Sequence, residues 1–431
     1  MRSRNINKLK IQQYCGLWEK FMFDKDITDN DLLDEIEEAE IEEEKYSSII
    51  TNPFGIINLP YDGSIDLNSF ERMLEENLSS SYKIFWFFGI YKEIIRGNRY
   101  ISFRSLVCRM IVSAWYPVTQ YKLNLGIQDR LYDLVILIYE KYNIPCDERE
   151  GKLLDFLENL EDMEVEKRIK NLYGYVPYRL LTPFYFKELS EVRKNFGKNA
   201  SQTHKFIAKL SKEDSRGIYK IDMENKLIEV NDSWYKYIRD NQIIIAGWMN
   251  FKLISYLQKK NPNVPAIPFK ISAPGKRDLR EATKLWKEIN KDGNINDIYT
   301  GEKLRAENFA LYGELSIDHF IPWSFVLHDE LWNLVPTFKN VNSQKNNKLP
   351  DLKVYMDKFC EIQYESFDTM QRNHKKYKKN LEGYLAINIA ADGRRKIEKD
   401  EFERRLRETI EPLYQIAYNQ GYGVWGRRRN S

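Results

Sequence analysis

The chain has 431 residues, 42% of them hydrophobic and 30% charged, with 67 Lys and Arg against 64 Asp and Glu. A chain of this length and composition can bury a sizeable core and divide into two or three domains. The near balance of charge is not that of a strongly basic nucleic-acid-binding protein, so any contact with phosphates must rely on locally clustered cations.

The cysteines and the apolar segments bear on the cellular compartment. Four widely spaced cysteines occur: Cys15, Cys108, Cys146 and Cys360. Their spacing predicts buried thiols in a reducing environment, without a C-x-x-C zinc site or a disulfide framework. The basic N-terminus has no apolar run of the signal-peptide kind, and the most apolar segment, 84–95, is too short to span a bilayer. We expect a cytoplasmic protein with no membrane association.

The first 260 residues are predicted to hold an arm and a helical region. Residues 1–50 form an acidic N-terminal arm, in which 29–44 fits either a solvated helix face or a segment that docks on a basic surface. Residues 51–260 are predicted to form a helical recognition or regulatory region, with the aromatic segment 81–95 buried inside it. Further helices are predicted at 101–115, 131–142, 153–172, 187–210 and 233–257. One β-hairpin is predicted at 217–230.

The remaining chain is predicted to have three parts. Four prolines within 261–275 prevent a helix and predict a stiff linker. Residues 276–350 form the module that carries the chemistry, beginning with an amphipathic helix at 277–289. Residues 351–431 form a helical, basic C-terminal segment. The fold class is therefore mainly α with a small α+β module.

The segment 315–350 has a distinct pattern of secondary structure. It predicts two strands, at 315–320 and 334–338, and then a short helix at 340–348 that Pro350 terminates. This order of strand, loop, strand and helix brings the end of the first strand against one face of the helix.

Polar residues of that segment are expected to meet in this frame. Asn342 and Lys345 share one helix face because they are three residues apart. Asp318 and His319 are adjacent, so a regular strand directs their side chains to opposite faces. A curl of the backbone toward Pro322 is needed to turn the histidine to the same substrate.

These residue types suit hydrolysis of a phosphodiester. A carboxylate from Asp318 and an amide oxygen from Asn342 make a sparse site for a hard divalent cation, Mg²⁺ or Mn²⁺, that keeps several waters. A neutral imidazole such as that of His319 can take a proton from water near neutral pH. Lys345 can neutralise charge that develops on the phosphate.

The motif as a whole resembles a known family. The sequence D-H-F-I-P-W-S-F at 318–325 is followed by Asn333 and Asn342 and preceded by Y-T-G at 299–301. This arrangement resembles the HNH endonucleases, also called ββα-metal nucleases, and its spacing is similar to the HNH module of RNA-guided CRISPR effector nucleases.

The resemblance implies a role for each matching residue. His319 is implied to be the general base, and Asp318 and Asn342 the metal ligands. Asn333 is implied to fix the loop and the orientation of His319. Lys345 matches a basic helix position of similar proteins and is included among the catalytic candidates.

Basic residues near the motif are candidates for contact with nucleic acid. The nearest candidates are Arg305, Lys345 and Lys348. The clusters at 375–379 and 394–396 fit either a solvated helix face or a secondary contact with backbone phosphates.

Two features depart from the family or compete with it. Many HNH proteins hold the motif with two C-x-x-C pairs and a zinc ion, whereas Asp297 and Thr300 stand where cysteines often occur here. We then expect the motif to be held by hydrophobic packing alone. The side chains available for it are those of Trp323, Phe325, Trp332 and Phe338. The dipeptide His328-Asp329 is also found in metal-dependent phosphohydrolases, but a polar surface loop is the favoured interpretation.

The sequence therefore predicts a metal-dependent HNH endonuclease that hydrolyses DNA, with double-stranded DNA as its partner. Similar proteins suggest a setting in bacterial anti-phage defence or restriction. The N-terminal region is a candidate surface for a protein partner or for a second copy of the chain. Two alternatives stay open: an endonuclease for structured RNA, and a nucleic-acid-binding module that does not cleave.

Overall fold

The protein is described by a computed structural model, which covers residues 59–74, 80–127, 129–196, 200–275, 277–390 and 395–426. The predicted acidic arm at 1–50 and Arg394 of the basic clusters lie outside these residues. Within the covered ranges, no helix combines the length and the apolar character needed to cross a membrane.

The described chain is mainly α-helical with small sheets, which confirms the predicted fold class. The helices before the prolines at 262–274 are α1 (Leu67–Arg72), α2 (Tyr82–Ile95), α3 (Phe103–Trp115), α4 (Arg130–Tyr142), α5 (Glu150–Glu158), α6 (Met163–Tyr173), α7 (Val176–Leu181), α8 (Phe186–Phe196), α9 (Ala200–Glu213), α10 (Asp232–Asp240) and α11 (Gln242–Lys260). The later helices are α12 (Arg280–Ile289), α13 (Ala306–Tyr312), α14 (Trp323–Val326), α15 (Lys339–Lys345), α16 (Leu352–Arg372), α17 (His374–Glu382) and α18 (Lys399–Asn419).

Seven short strands form three sheets in the described residues. The strands are β1 (Tyr100–Ser102), β2 (Tyr219–Asp222), β3 (Leu227–Val230), β4 (Leu315–His319), β5 (Leu334–Phe338), β6 (Leu349–Pro350) and β7 (Val424–Trp425). The sheet order is β1-β3-β2 in the first sheet, and the pairs β4-β5 and β6-β7 form the other two.

The chain divides into two compact units. One unit comprises Met1–Met110 and Glu161–Leu253, and the other comprises Ile111–Leu160 and Ile254–Ser431. This grouping assigns Ile111–Leu160 to the same unit as the segment that carries the chemistry. The functional boundaries drawn from the sequence stay predictions.

The first unit is built around α2 and a small antiparallel sheet. Helix α2 is buried on nearly every side, as its apolar sequence predicts. The predicted hairpin is confirmed as β2 and β3, with Ile221 opposite Ile228. Residues 100–102 were expected to be near the start of a helix, but they form β1, where Ile101 pairs with Ile228. A strand of three residues exists only through this pairing, which local sequence does not reveal.

Two predicted long helices, at 153–172 and 233–257, are each two helices, so those predictions are corrected. Within 153–172, the Asp162 carboxylate accepts hydrogen bonds from the backbone N–H groups of Glu164 and Val165, which starts α6 as a separate helix. Within 233–257, α10 ends at Asp240, and the side chain of the next residue, Asn241, donates to the Tyr237 carbonyl. The predicted helix at 187–210 corresponds to α8 and α9, and residues 197–199 between them lie outside the description.

The second unit holds the β4–β5 hairpin and the helices that support it. The strands are antiparallel, with Asp318 opposite Val335. Helix α15 follows β5 directly and packs across β4. Helix α16 packs against β5, and its Gln363 side chain donates to the Leu334 carbonyl at 2.6 Å. The rings of Phe320 and Phe359 stack at 3.9 Å between centroids. These contacts fix the end of β4, where the polar residues lie.

The proline-rich segment 261–275 packs on this unit through a buried lysine. Lys270 has no exposed surface, and its ammonium group donates to the Phe325 carbonyl at 2.5 Å. The same group lies 5.0 Å from the centre of the Phe325 ring. Burial lowers the pKa of Lys270 to about 7, because the charged form loses its hydration. The segment therefore contributes to the packing of the loop that follows β4.

Burial of Lys270 predicts a pH-dependent stability. Between pH 7 and 10 the unfolded chain holds a proton on this lysine that the folded chain lacks, so stability rises with pH. Relative to Lys270→Met, the wild type should gain up to about 1.4 kcal/mol per pH unit from pH 7 to 9. Unfolding at pH 7, 8 and 9 measures this difference. An exposed control, Lys353→Met, should show none, and a pH-independent difference for Lys270→Met would contradict the prediction.

Candidate active site

A tight turn at residues 297–302 carries the first residue of the site. The Asp297 carboxylate accepts hydrogen bonds from the Thr300 N–H at 2.9 Å and the Thr300 hydroxyl at 2.6 Å. Gly301 follows with φ of +79°, a conformation that favours glycine. Burial raises the pKa of Asp297, which these hydrogen bonds oppose. The expectation that hydrophobic packing alone holds the motif is therefore wrong, because polar contacts also close this turn.

The turn directs Tyr299 toward Asp318 on β4. The Tyr299 hydroxyl donates to Oδ2 of Asp318 at 2.5 Å. Burial raises the pKa of Tyr299 well above its usual value, so the hydroxyl stays protonated and acts as a donor. Behind it, the Tyr299 ring packs edge-on against Tyr355 and Trp425. Tyr299 is therefore a rigid donor to the carboxylate.

Helix α15 places an ammonium group against the same carboxylate. Lys345 is fully buried, and its Nζ lies 3.1 Å from Oδ1 and 3.0 Å from Oδ2 of Asp318. It also donates to the His319 carbonyl at 2.8 Å. Desolvation lowers the pKa of Lys345, and the negative charge of Asp318 opposes this. One cation thus contacts both residues of the Asp-His pair.

Asn342 lies one turn earlier on α15 and contacts the same strand. Its side-chain amide donates to the Ile317 carbonyl at 2.9 Å and to the Ser316 hydroxyl at 3.0 Å. Because these contacts use Nδ2, the amide oxygen is left as the acceptor on the other side of the group. Helix spacing of three residues therefore brings Asn342 and Lys345 to β4 together, as the sequence predicts.

His319 has a partner that is different from those of Asp318. Its Nε2 lies 2.7 Å from Oδ1 of Asp329 in the loop between β4 and β5. The His319 side chain is 5% exposed, whereas the Asp329 side chain is 31% exposed. Both Asp318 and His319 belong to β4, and their separate partners agree with side chains on opposite faces. The curl that the sequence predicted between these residues is absent, because both belong to the regular part of β4. That expectation is therefore wrong.

Asn333 holds the loop that follows His319. It is fully buried, and its amide oxygen accepts from the Ile321 N–H at 2.8 Å while its Nδ2 donates to the Ile321 carbonyl at 2.9 Å. The Asn333 carbonyl also accepts from the Phe320 N–H. An asparagine that satisfies both backbone groups of one residue fixes the backbone immediately after His319.

The remaining candidates lie on the surface. Arg305 is exposed and pairs with Glu307 at 2.7 Å. Lys348 is exposed, and its N–H donates to the Lys345 carbonyl. The contacts of these two residues do not join them to Asp318 or His319.

The two residues assigned as metal ligands by the resemblance have oxygen atoms of a type that fits a hard divalent cation. The Asp318 carboxylate and the Asn342 amide oxygen are oxygen ligands of the kind that Mg²⁺ accepts, and two protein ligands leave places for water. The Lys345 ammonium already lies against Asp318, so an ion there would share the carboxylate with it. Among the described residues, no group of three or more His, Cys, Asp or Glu side chains could hold a metal.

Two residues of the site were not assigned a role from the sequence. The hydroxyl contact of Tyr299 was missed although its Y-T-G motif was recognised. Asp329 was interpreted as part of a surface loop, but its carboxylate contacts His319. The His328-Asp329 dipeptide was the available signal. His328 itself packs on Trp332, and burial lowers its pKa to about 4.

Comparison with known proteins agrees with this geometry. A family model described as HNH endonuclease matches residues 297–351. The matched range includes the turn at Tyr299, both strands of the β4–β5 hairpin and helix α15. No curated protein and no solved structure matches the chain. Residues 297–351 of this chain are therefore an HNH endonuclease domain.

Proposed function

We propose that the protein is a metal-dependent endonuclease that hydrolyses phosphodiester bonds in DNA, with His319 as the general base. The observation that carries the proposal is the end of β4, where an imidazole held by a carboxylate directly follows the cluster of Asp318, Lys345 and Tyr299. Bacterial defence or restriction is the proposed setting, and double-stranded DNA the proposed substrate.

His319 would take the proton from the attacking water. His319 Nε2 lies 2.7 Å from the Asp329 carboxylate, and the tautomer that donates this hydrogen bond would have its lone pair on Nδ1. This contact orients the ring and stabilises the imidazolium that forms when Nδ1 accepts the proton. Asp329 is thus a positioning residue. Asn333 fixes the backbone at Ile321 and limits movement of the loop beside the ring.

Asp318 and Asn342 would hold the divalent cation, Mg²⁺ or Mn²⁺. When bound, such an ion supplies Lewis-acid stabilisation of charge on the phosphate. Tyr299 donates to Asp318 and keeps the carboxylate in place. Lys345 supplies a positive charge next to the same carboxylate and can stabilise negative charge that develops on the substrate.

Replacement of His319 tests the general base. His319→Ala should reduce the rate of nicking of supercoiled plasmid in Mg²⁺ by about 10²- to 10⁴-fold, because general base catalysis typically contributes a rate factor of about this size. The rate of conversion to open-circular DNA measures it, with the melting temperature as the check of folding. The matched control is His328→Asn, which changes a neighbouring histidine that packs on Trp332 and should cut within about threefold of the wild type.

The same assay separates the alternatives. Plasmid and a structured RNA are incubated in parallel, with and without EDTA. Cleavage of RNA alone would identify a ribonuclease, and binding of DNA without cleavage would identify a non-cleaving module. Undiminished cutting by His319→Ala would overturn the assignment of the base.

Replacement of Asp329 tests the positioning role. Asp329→Ala should lower kcat about 10- to 100-fold and leave KM nearly unchanged, because the proposed role of the carboxylate is to orient the imidazole and not to bind the substrate. Asp329→Glu should restore part of the rate. Glu330→Gln, which removes the adjacent carboxylate, is the control. A rise in KM with unchanged kcat would show that Asp329 acts in substrate binding instead.

Replacement of Lys345 tests the metal ligands without an activity measurement. Lys345→Met leaves the buried Asp318 carboxylate without its cation, at a cost of about 3–5 kcal/mol in folding free energy. A divalent ion at Asp318 would then replace the missing positive charge. Mg²⁺ at about 10 mM should therefore raise the melting temperature of this variant more than that of the wild type. Addition of Asp318→Asn to the variant should abolish the Mg²⁺ effect. An equal response in all three proteins would refute the assigned site.

A further inference from the structure

Helix α12 has an apolar face and a basic face. The apolar face is buried and consists of Ala282, Leu285 and Trp286. On the opposite side, Arg280, Lys284 and Lys287 are exposed and follow each other at intervals of four and three residues. This spacing aligns the three cations along one helix face over about 10 Å.

A shallow, open cleft of about 820 Å³ follows this basic face. Four basic residues line it: Arg277, Arg280, Lys284 and Lys287. Asp278 is the acidic residue among those that line it, and the Arg280 guanidinium contacts its carboxylate through Nε at 2.8 Å and Nη2 at 2.5 Å. The carboxylate is therefore neutralised locally, and the cleft has a net positive charge.

The other three cations of the cleft form no salt bridge with a carboxylate of the described residues, although the charge of Lys284 acts on Glu288 one turn further along α12. No carboxylate of the described residues lies within ion-pair distance of Arg277, Lys284 or Lys287. Several basic residues elsewhere in the unit are paired: Arg305 with Glu307, Lys376 with Glu288, Arg395 with Glu401 and Lys396 with Glu398. Three basic residues of the cleft therefore lack the ion pairs that basic residues elsewhere in the unit form.

The cleft adjoins the HNH domain. Helix α12 packs against both β4 and β5. The Arg277 guanidinium lies 5.3 Å from the centre of the Trp323 ring, a cation–π contact. Trp323 begins α14, four residues after His319. This contact therefore connects the end of the cleft to the loop that Asn333 fixes.

We propose that this cleft binds the phosphate backbone of the DNA substrate. A row of cations with a net positive charge suits a polyanion, since each neutralised phosphate releases condensed counterions. The contacts would position the duplex without reading its sequence, because they involve phosphates and not base edges. The inference rests on the proposed nuclease function and adds a surface that lies outside the residues matched by the family model.

The test measures DNA binding separately from cleavage. Fluorescence anisotropy of a labelled 30-bp duplex (a length of about three helical turns) is recorded with full-length protein in EDTA across a series of KCl concentrations. Lys284→Gln/Lys287→Gln should weaken binding about tenfold at low salt. The slope of log K against log salt should fall by about 1.8, since each phosphate contact contributes about 0.9.

The matched control removes the same charge from exposed positions of α16. Lys353→Gln/Lys358→Gln should retain the wild-type affinity within twofold, and its salt slope should be unchanged. A wild-type slope in Lys284→Gln/Lys287→Gln would overturn the proposed cleft even if the enzyme nicks plasmid. A reduced slope in a protein that does not nick would support the cleft while the nuclease proposal fails.

Discussion

The geometry of the HNH domain depends on the buried ion pair between Lys345 and Asp318. It joins helix α15 to strand β4, and the same ammonium group contacts the carbonyl of His319. Neither charge can be lost alone, because an uncompensated buried charge costs several kcal/mol. The pair therefore couples folding of the domain to the position of both residues of the Asp-His motif, while Tyr299 adds a second donor to the carboxylate.

The elements of the domain were predictable because each has a strong local signal. The two strands lie within one residue of their predicted bounds, and the helix after them begins one residue earlier and ends three residues earlier than predicted. The errors arise where one contact decides the structure. A single cap at Asp162 divides a predicted helix in two, and β1 forms only because Ile101 pairs with a residue 127 positions later. The hydrophobic periodicity of the sequence does not predict either of these contacts.

The site shows the same division. Helix spacing correctly brought Asn342 and Lys345 to one face, and the structure places both against β4. The contact of Asp329 with His319 could not be derived, because it depends on the path of the loop between them, which has no repeating pattern. The contact of Tyr299 with Asp318 could not be derived for a similar reason. The turn at 297–302 sets the direction of the Tyr299 side chain, and the Y-T-G motif does not reveal that direction.

The hydrogen bonds between Asp297 and Thr300 have a consequence for chemical robustness. They close the turn with groups that neither bind zinc through thiolates nor oxidise, and residues 297–351 contain no cysteine. The turn is thus independent of zinc supply and of the redox state of its surroundings. A chelating agent is therefore expected to leave this turn closed.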